Sequence, residues 1–138
     1  MSNSSAHVSE TPVFVSAGII FSENSVLVCQ RKRTAPYPLQ WEFPGGKVEQ
    51  GETSAECLRR ELQEELSIDA VIGEALHEQT WHYPNAGTFH ITFHRVISFT
   101  GNLRNNVFEQ FAWLPISELS TLPLLEGNKP VARLLQQL

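Results

Sequence analysis

Glu61, Glu64 and Glu65 lie three and four residues apart within residues 45–68 (GGKVEQGETSAECLRRELQEELSI). On a helix those spacings put carboxylates on one face, where like charges repel. The last two also fall near a helix C-terminus, where the macrodipole disfavours anions by about 0.3–1 kcal/mol each. Arg60, four residues before Glu64, offsets only part of this. The arrangement is unfavourable unless a cation faces it, and a hard divalent ion such as Mg²⁺ prefers oxygen ligands, usually one or two carboxylates with waters and substrate phosphates. The plain alternative is an amphipathic surface helix whose acids are solvated. The preceding loop bears on the choice, because Gly45, Gly46 and Gly51 permit the positive φ and close backbone approach that wrapping a metal-bound phosphate requires.

A helix must position these acids. Thr53 or Ser54 can serve as N-cap with Glu56 completing a capping box, and neither Pro nor Gly interrupts the run to Leu66. Ala55, Leu58, Leu62 and Leu66 fall on one stripe, which predicts the core-facing side.

The residues Gly46, Glu52, Arg60, Glu61, Leu62, Glu64, Glu65 and Ile68 together resemble the signature of the Nudix hydrolase family. That signature is a Gly, five residues, a Glu, seven residues, then Arg-Glu-aliphatic-any-Glu-Glu-any-Gly-aliphatic, a pattern far more specific than an isolated glycine motif. Ser67 departs from it, standing where the family has Gly. That position is expected to be left-handed, which Ser can adopt at about 1–2 kcal/mol. The resemblance implies an α/β fold, the Nudix α/β/α sandwich with a mixed central sheet and a loop-helix catalytic motif. It further implies Mg²⁺, with Mn²⁺ able to substitute, on Gly45, Glu61, Glu64 and Glu65. Glu61, Glu64, Arg60 and Glu52 are the implied catalytic set, Arg60 and Glu52 acting by holding the loop against the helix.

Residues 41–46 (WEFPGG) are similar to a run in the MutT-like branch of the family, which implies substrate contacts at Glu42, Phe43, Pro44 and Gly45, with Phe43 near the base. From the residues alone, Phe43 and Trp41 equally suit ordinary core packing. Arg31 resembles a substrate-contacting Arg of that branch, although Arg31, Lys32 and Arg33 also read as a solvated loop. Residues 128–131 (NKPV) resemble an Asn-any-Pro-Val run whose Asn reads an oxidised purine. An amide offers donors for O6 and an acceptor for N7–H, while the alternative for Asn128 is helix capping. The family often adds a Glu before the last strand, and Glu109 is the acid at hand.

With 138 residues the chain suits one domain, expected over residues 12–138 after a disordered tail at 1–11. A net charge of -5 and the lack of a basic run argue against stable nucleic-acid binding. Cys29 and Cys57 have neither a metal spacing nor a disulfide framework and read as reduced and buried. No stretch approaches 18 apolar residues, so no membrane association is expected, and a cytoplasmic location with no protein partner follows as the expectation.

Residues 13–21 and 26–30 read as a strand pair joined by Glu23, Asn24 and Ser25. A short strand at 69–74 turns at Gly73, and a long hairpin joins 75–83 to 88–99. His77, His82, His90 and His94 lie in that hairpin and read as exposed rather than as ligands. Trp81 and Tyr83 can stack a purine or simply pack the sheet. Residues 101–108 form a polar loop, 109–114 a strand, 115–119 a short helix, and 127–138 an amphipathic helix with Val131, Leu134, Leu135 and Leu138 inward.

The implied reaction is hydrolysis of a nucleoside triphosphate to monophosphate and pyrophosphate, with 8-oxo-dGTP as the expected small-molecule substrate. The alternatives are another Nudix substrate (CTP or a modified pyrimidine nucleotide, a dinucleoside polyphosphate, dihydroneopterin triphosphate) and a non-catalytic nucleotide-binding Nudix domain. The intact Glu61, Glu64 and Glu65 argue against the last, since a binding module has no need of repelling acids.

Overall fold

The computed structural model describes residues 11–138, so the expected tail lies, apart from Thr11, outside the described residues. β1 (Val13–Ser22) and β2 (Ser25–Gln30) form where β-branched residues concentrate. They pair Phe21 with Val26 and Ser22 with Ser25, and Glu23 in the turn takes φ 56°, as a tight hairpin turn demands. β3 (Trp41–Glu42) and β4 (Gly45–Lys47) are short. Helix α1 (Ser54–Leu66) follows, then the long β5 (Asp69–Tyr83) and β6 (Gly87–Thr100), then β7 (Gln110–Pro115). Two 3-10 turns, Ile116–Thr121 and Glu126–Asn128, lead to helix α2 (Lys129–Gln136).

The strands make one mixed sheet ordered β3-β2-β1-β6-β5, with β4 added to β1 and β7 to β2. β1 and β6 run parallel. The other edge of β1 is divided between β4, at residues 15–17, and β2, at residues 21–22. At the division the Gly18 N–H donates to the Pro44 carbonyl at 2.8 Å, which anchors the link between β3 and β4 on the middle of the sheet.

Alternate residues of a strand face opposite sides, and here both sides are covered. Ile19, Val26 and Val28 join Phe43, Phe93, Leu119, Val131 and Leu135 on the α2 side. Ile20, Leu27 and Cys29 join Leu58, Leu62, Leu66 and Ile68 on the α1 side. The result is a helix-sheet-helix sandwich, and burial on both faces accounts for the continuous buried stretch from Ser16 to Ile20 in β1. Cys29 and Cys57 are free thiols in this interior.

Four local features differ from the sequence reading. Gly73 makes no turn; β5 runs through it with register shifts against β6, and a Cβ at Gly73 would lie 2.9 Å from Ile97 Cγ1. His94 is buried, because α1 covers the face on which it stands. Its Nδ1–H donates to the Gly73 carbonyl at 3.0 Å, and its Nε2 takes the Ser54 hydroxyl at 2.8 Å. Ser54 Oγ is also 3.1 Å from Ser16 Oγ, so each of these buried polar atoms is satisfied. The last helix begins at Lys129 rather than 127, and Leu138 lies outside it, 86% exposed.

Both ends of α1 are closed by specific groups. Thr53 is the N-cap, with reciprocal bonds between Thr53 and Glu56. At the other end Ser67 sits at φ 60°, ψ 35° and its N–H bonds the Gln63 carbonyl, so the helix survives the loss of the family Gly. The loop from β6 to β7 finishes the job: Arg104 N–H donates to Leu66 O and Asn106 N–H to Glu65 O. The Asn106 side chain donates to Glu64 O at 3.0 Å and to Ser67 Oγ at 2.9 Å. Asn106→Ala would remove both side-chain bonds at this terminus, leaving the exposed acceptors to water, and should lower unfolding free energy by about 0.5–1.5 kcal/mol. Urea denaturation reads this directly, and an unchanged midpoint would mean that the loop does not hold the helix end.

Candidate active site

Arg60 is the hub of the motif. Its Nε and Nη2 form a bidentate pair with Glu52, at 2.6 and 3.0 Å, and Nη2 also donates to the Lys47 carbonyl at 3.3 Å. Its Nη1 reaches Glu61 Oε2 at 2.9 Å and Glu64 Oε1 at 3.3 Å. One guanidinium thus ties the loop at Lys47 and Glu52 to two of the three helix acids, in the forked geometry that Arg alone provides. The Arg60 bonds and the Glu49 N–H hold the Glu52 carboxyl down at about 2, so Glu52 is an anion at any working pH. Cys57 lies beneath, its thiol donating to Gly46 O and Lys47 O, and burial pushes that thiol up to about 11.

Glu61 and Glu65, one helical turn apart, are electrostatic neighbours. Burial, then the charge of Glu61, pushes the Glu65 carboxyl up to about 9, against a bond from the Gly45 backbone. Glu65 Oε1 is buried with no hydrogen-bond partner among the described residues, a state that native proteins avoid unless something else fills it. Gly46 lies so close that a Cβ there would collide with the Glu61 carboxylate, and one on Gly45 would collide with Ser16 O. An orphaned carboxyl oxygen beside a second carboxylate, under a Gly45 backbone that leaves no room for a side chain, fits a hard divalent cation that displaces the proton. Glu64 is 58% exposed on the side chain and turned to Arg60, and no three acidic, His or Cys side chains converge as a ready-made cage among the described residues.

A cleft of about 460 Å³ opens beside this pair, lined by Arg31, Glu42, Phe43, Gly45, Glu65 and Asn128 among others. It brings together five of the six residues expected to touch substrate. Pro44 is the exception, buried and bonded to Gly18. Phe43 is both wall and core, 3% exposed and edge-on to Phe93 with centroids 6.3 Å apart. Trp41 packs against the core and lies outside the cleft lining. Glu42 is paired with Arg31 at 3.2 Å; burial raises its carboxyl and Arg31 opposes the rise. Asn128 stands at the N-cap position of α2, but its side chain makes no cap bond. Its Oδ1 instead accepts the Phe43 N–H at 3.0 Å, leaving the second oxygen lone pair and the amide donors for other partners.

Glu109 is engaged by Arg33 and is not among the residues lining the cleft. Its carboxylate takes the Arg33 N–H and Nη2, the latter at 3.0 Å, and Arg33 holds its carboxyl below the usual range. Of the hairpin aromatics, Tyr83 and Phe89 line the cleft and Trp81 does not. Tyr37 also lines it, a residue whose place the sequence gives no sign of, since it lies in a loop whose path depends on backbone conformation rather than periodicity.

The Glu65 carboxyl makes stability depend on pH. Its pKa in the metal-free fold, about 9, exceeds the ordinary 4.5, so between these values the folded chain keeps a proton that the unfolded chain releases. This contribution is full below about pH 4.5 and is lost as pH rises towards 9. In EDTA, chemical denaturation across that window should show Glu65→Gln declining less steeply than the native chain, and parallel profiles would contradict the burial of this acid.

Comparison with known proteins follows the same lines. A profile of the NUDIX domain matches residues 12–138. The CTP pyrophosphohydrolase of Escherichia coli is 32% identical over 129 residues, covering 85% of this chain and 86% of the relative. The 8-oxo-dGTP diphosphatase of Escherichia coli is 30% identical over 127 residues, covering 90% and 96%. The solution structure of the E. coli ORF135 protein superposes with a TM-score of 0.83 at 29% identity, over 94% of this chain and 92% of that one. With its motif, its helix-sheet-helix fold and these relatives in agreement, the chain belongs to the Nudix hydrolase family.

Proposed function

We propose that this protein is a Mg²⁺-dependent nucleoside triphosphate pyrophosphohydrolase that releases nucleoside monophosphate and pyrophosphate, with 8-oxo-dGTP as its substrate and sanitisation of the nucleotide pool as its role. The observation that carries the reading is the shared cleft, in which Glu65 and Asn128 line one cavity. A nucleotide has the same two parts, an anionic chain for the metal acids and a base for an amide.

In this reading Glu61, Glu64 and Glu65, with the Gly45 carbonyl, hold Mg²⁺, and Mn²⁺ can substitute. The ion when bound neutralises phosphate charge and lowers the pKa of a coordinated water. A carboxylate of this set takes the proton as water oxygen bonds to phosphorus and pyrophosphate departs. Arg60 and Glu52 position the loop and helix so that these oxygens meet the phosphates. Arg31 and Glu42 stand at the cleft wall for substrate, and Glu109 would serve the metal only after leaving Arg33. At the base end, Asn128 donates to O6 and accepts from N7–H of the oxidised purine, whereas ordinary guanine offers an acceptor at N7. The natural setting proposed is the cytoplasm, on free nucleotides and without a protein, membrane or nucleic-acid partner. Similarity to a CTP pyrophosphohydrolase supports a second reading, in which the same amide donors meet a cytosine.

Pyrophosphate release with Mg²⁺ from 8-oxo-dGTP, dGTP, dCTP and CTP separates these. The oxidised purine should lead by about 100-fold in kcat/KM, roughly 2.7 kcal/mol. A lead by CTP or dCTP selects the second reading. Glu64→Gln should slow the best substrate by at least about 100-fold with the fold kept; full activity in that variant would contradict the metal assignment.

A further inference from the structure

The loop between β2 and β3, residues 31–40, contributes Arg31, Pro36 and Tyr37 to the cleft. It is closely tied: Arg31 N–H donates to Gln40 O, Leu39 N–H to Arg31 O, Gln30 Nε2 to Leu39 O and Arg31 Nε to Pro36 O. Within it two non-glycine residues take left-handed backbone, Tyr37 at φ 52° and Leu39 at φ 63°. Such conformations persist only where the surroundings enforce them, and they gather at binding sites. Here the consequence is to turn the Tyr37 ring onto Tyr83, with centroids 5.2 Å apart and planes at 55°. Tyr83 is fixed from behind, its hydroxyl accepting the Gly127 N–H at 2.7 Å, one residue before Asn128. Tyr37 has no such anchor: it is half-buried, and its hydroxyl makes no hydrogen bond among the described residues.

From this we infer that Tyr37 is an affinity-determining residue: its ring is the aromatic face on which a nucleobase stacks when its edge meets Asn128. The inference rests on the nucleotide reading above. The fixed Tyr83 and the strained loop hold the ring at the cleft, and with no partner for its hydroxyl among the described residues the ring, not the oxygen, is the working part. Stacking tolerates any base, so Tyr37 sets affinity for nucleotides as a class, and Asn128 selects among them.

The test is equilibrium binding of the α,β-methylene analogue of dGTP to the Mg²⁺-loaded protein, set beside binding of pyrophosphate. Tyr37→Ala should weaken the nucleotide analogue by about 5- to 150-fold, the range that loss of one stacked base gives, and leave pyrophosphate unchanged. Tyr37→Phe should bind both like the native chain. Tyr37→Gly, suited to the left-handed backbone, should lose nucleotide affinity while melting no lower than Tyr37→Ala. Equal nucleotide affinity in Tyr37→Ala, equal weakening of pyrophosphate, or a Tyr37→Phe variant as weak as Tyr37→Ala would each overturn the proposal. A native chain that binds the analogue through Tyr37 yet hydrolyses no nucleotide would end the hydrolase reading and leave Tyr37 standing. A chain that hydrolyses nucleotides while Tyr37→Ala binds normally would do the reverse.

Discussion

Two carboxylates brought together out of water repel each other and lose hydration, so the pair is stable only with a proton or a metal between or beside them. Glu61 and Glu65 are in that position, and much of the motif exists to keep them there. Gly46 lets the loop close on Glu61 without a side chain in the way. Arg60 answers the charge of Glu61 and Glu64. Among the described residues Glu65 has no such cation, and one of its oxygens has no partner. The electrostatic deficit is therefore local, and it lies at the end of the cleft where a phosphate chain would enter.

The sheet supplies the rigidity this demands. β1 gives one edge to β6 and splits the other between β4 and β2, so the segment from Phe43 to Gly45 is anchored to the centre of the fold, while Glu42 stands in the edge strand β3. α1 is fastened across the sheet by its apolar face, and by Ser54 to the buried His94. The Asn128 side chain reaches from the 3-10 turn that leads into α2 to the Phe43 backbone, so the two layers meet at the cleft. Positions set by two packed layers hold tighter geometry than a loop could.

Legibility in the sequence follows the range of the interaction. The α1 boundaries, the Thr53–Glu56 capping box and the left-handed Ser67 depend on neighbours within four residues and can be read locally. The cluster of Glu61, Glu64 and Glu65 can be read because its spacing is fixed by the helix itself. The apparent turn at Gly73 cannot be told from a bulge without knowing that Arg95 and Ile97 lie opposite. His94 alternates with apolar residues as an exposed residue would, and only the arrival of α1 buries it. Asn128 carries two plausible duties in sequence, and the contact with Phe43, 85 positions away, decides against capping. Tyr37 is invisible for a related reason: its orientation comes from two left-handed residues that are not glycine, which no propensity anticipates.

The account turns on a metal held by Glu61 and Glu65, and the most direct measurement is a titration of Mn²⁺ into metal-free protein, following the unbound ion by electron paramagnetic resonance. The native chain should bind Mn²⁺ at this site, and Glu61→Gln and Glu65→Gln should each weaken that binding at least about 10-fold, as loss of a charged oxygen ligand predicts. Unaltered Mn²⁺ binding in both variants would contradict the account, because the orphaned carboxylate would then have no cation to answer it.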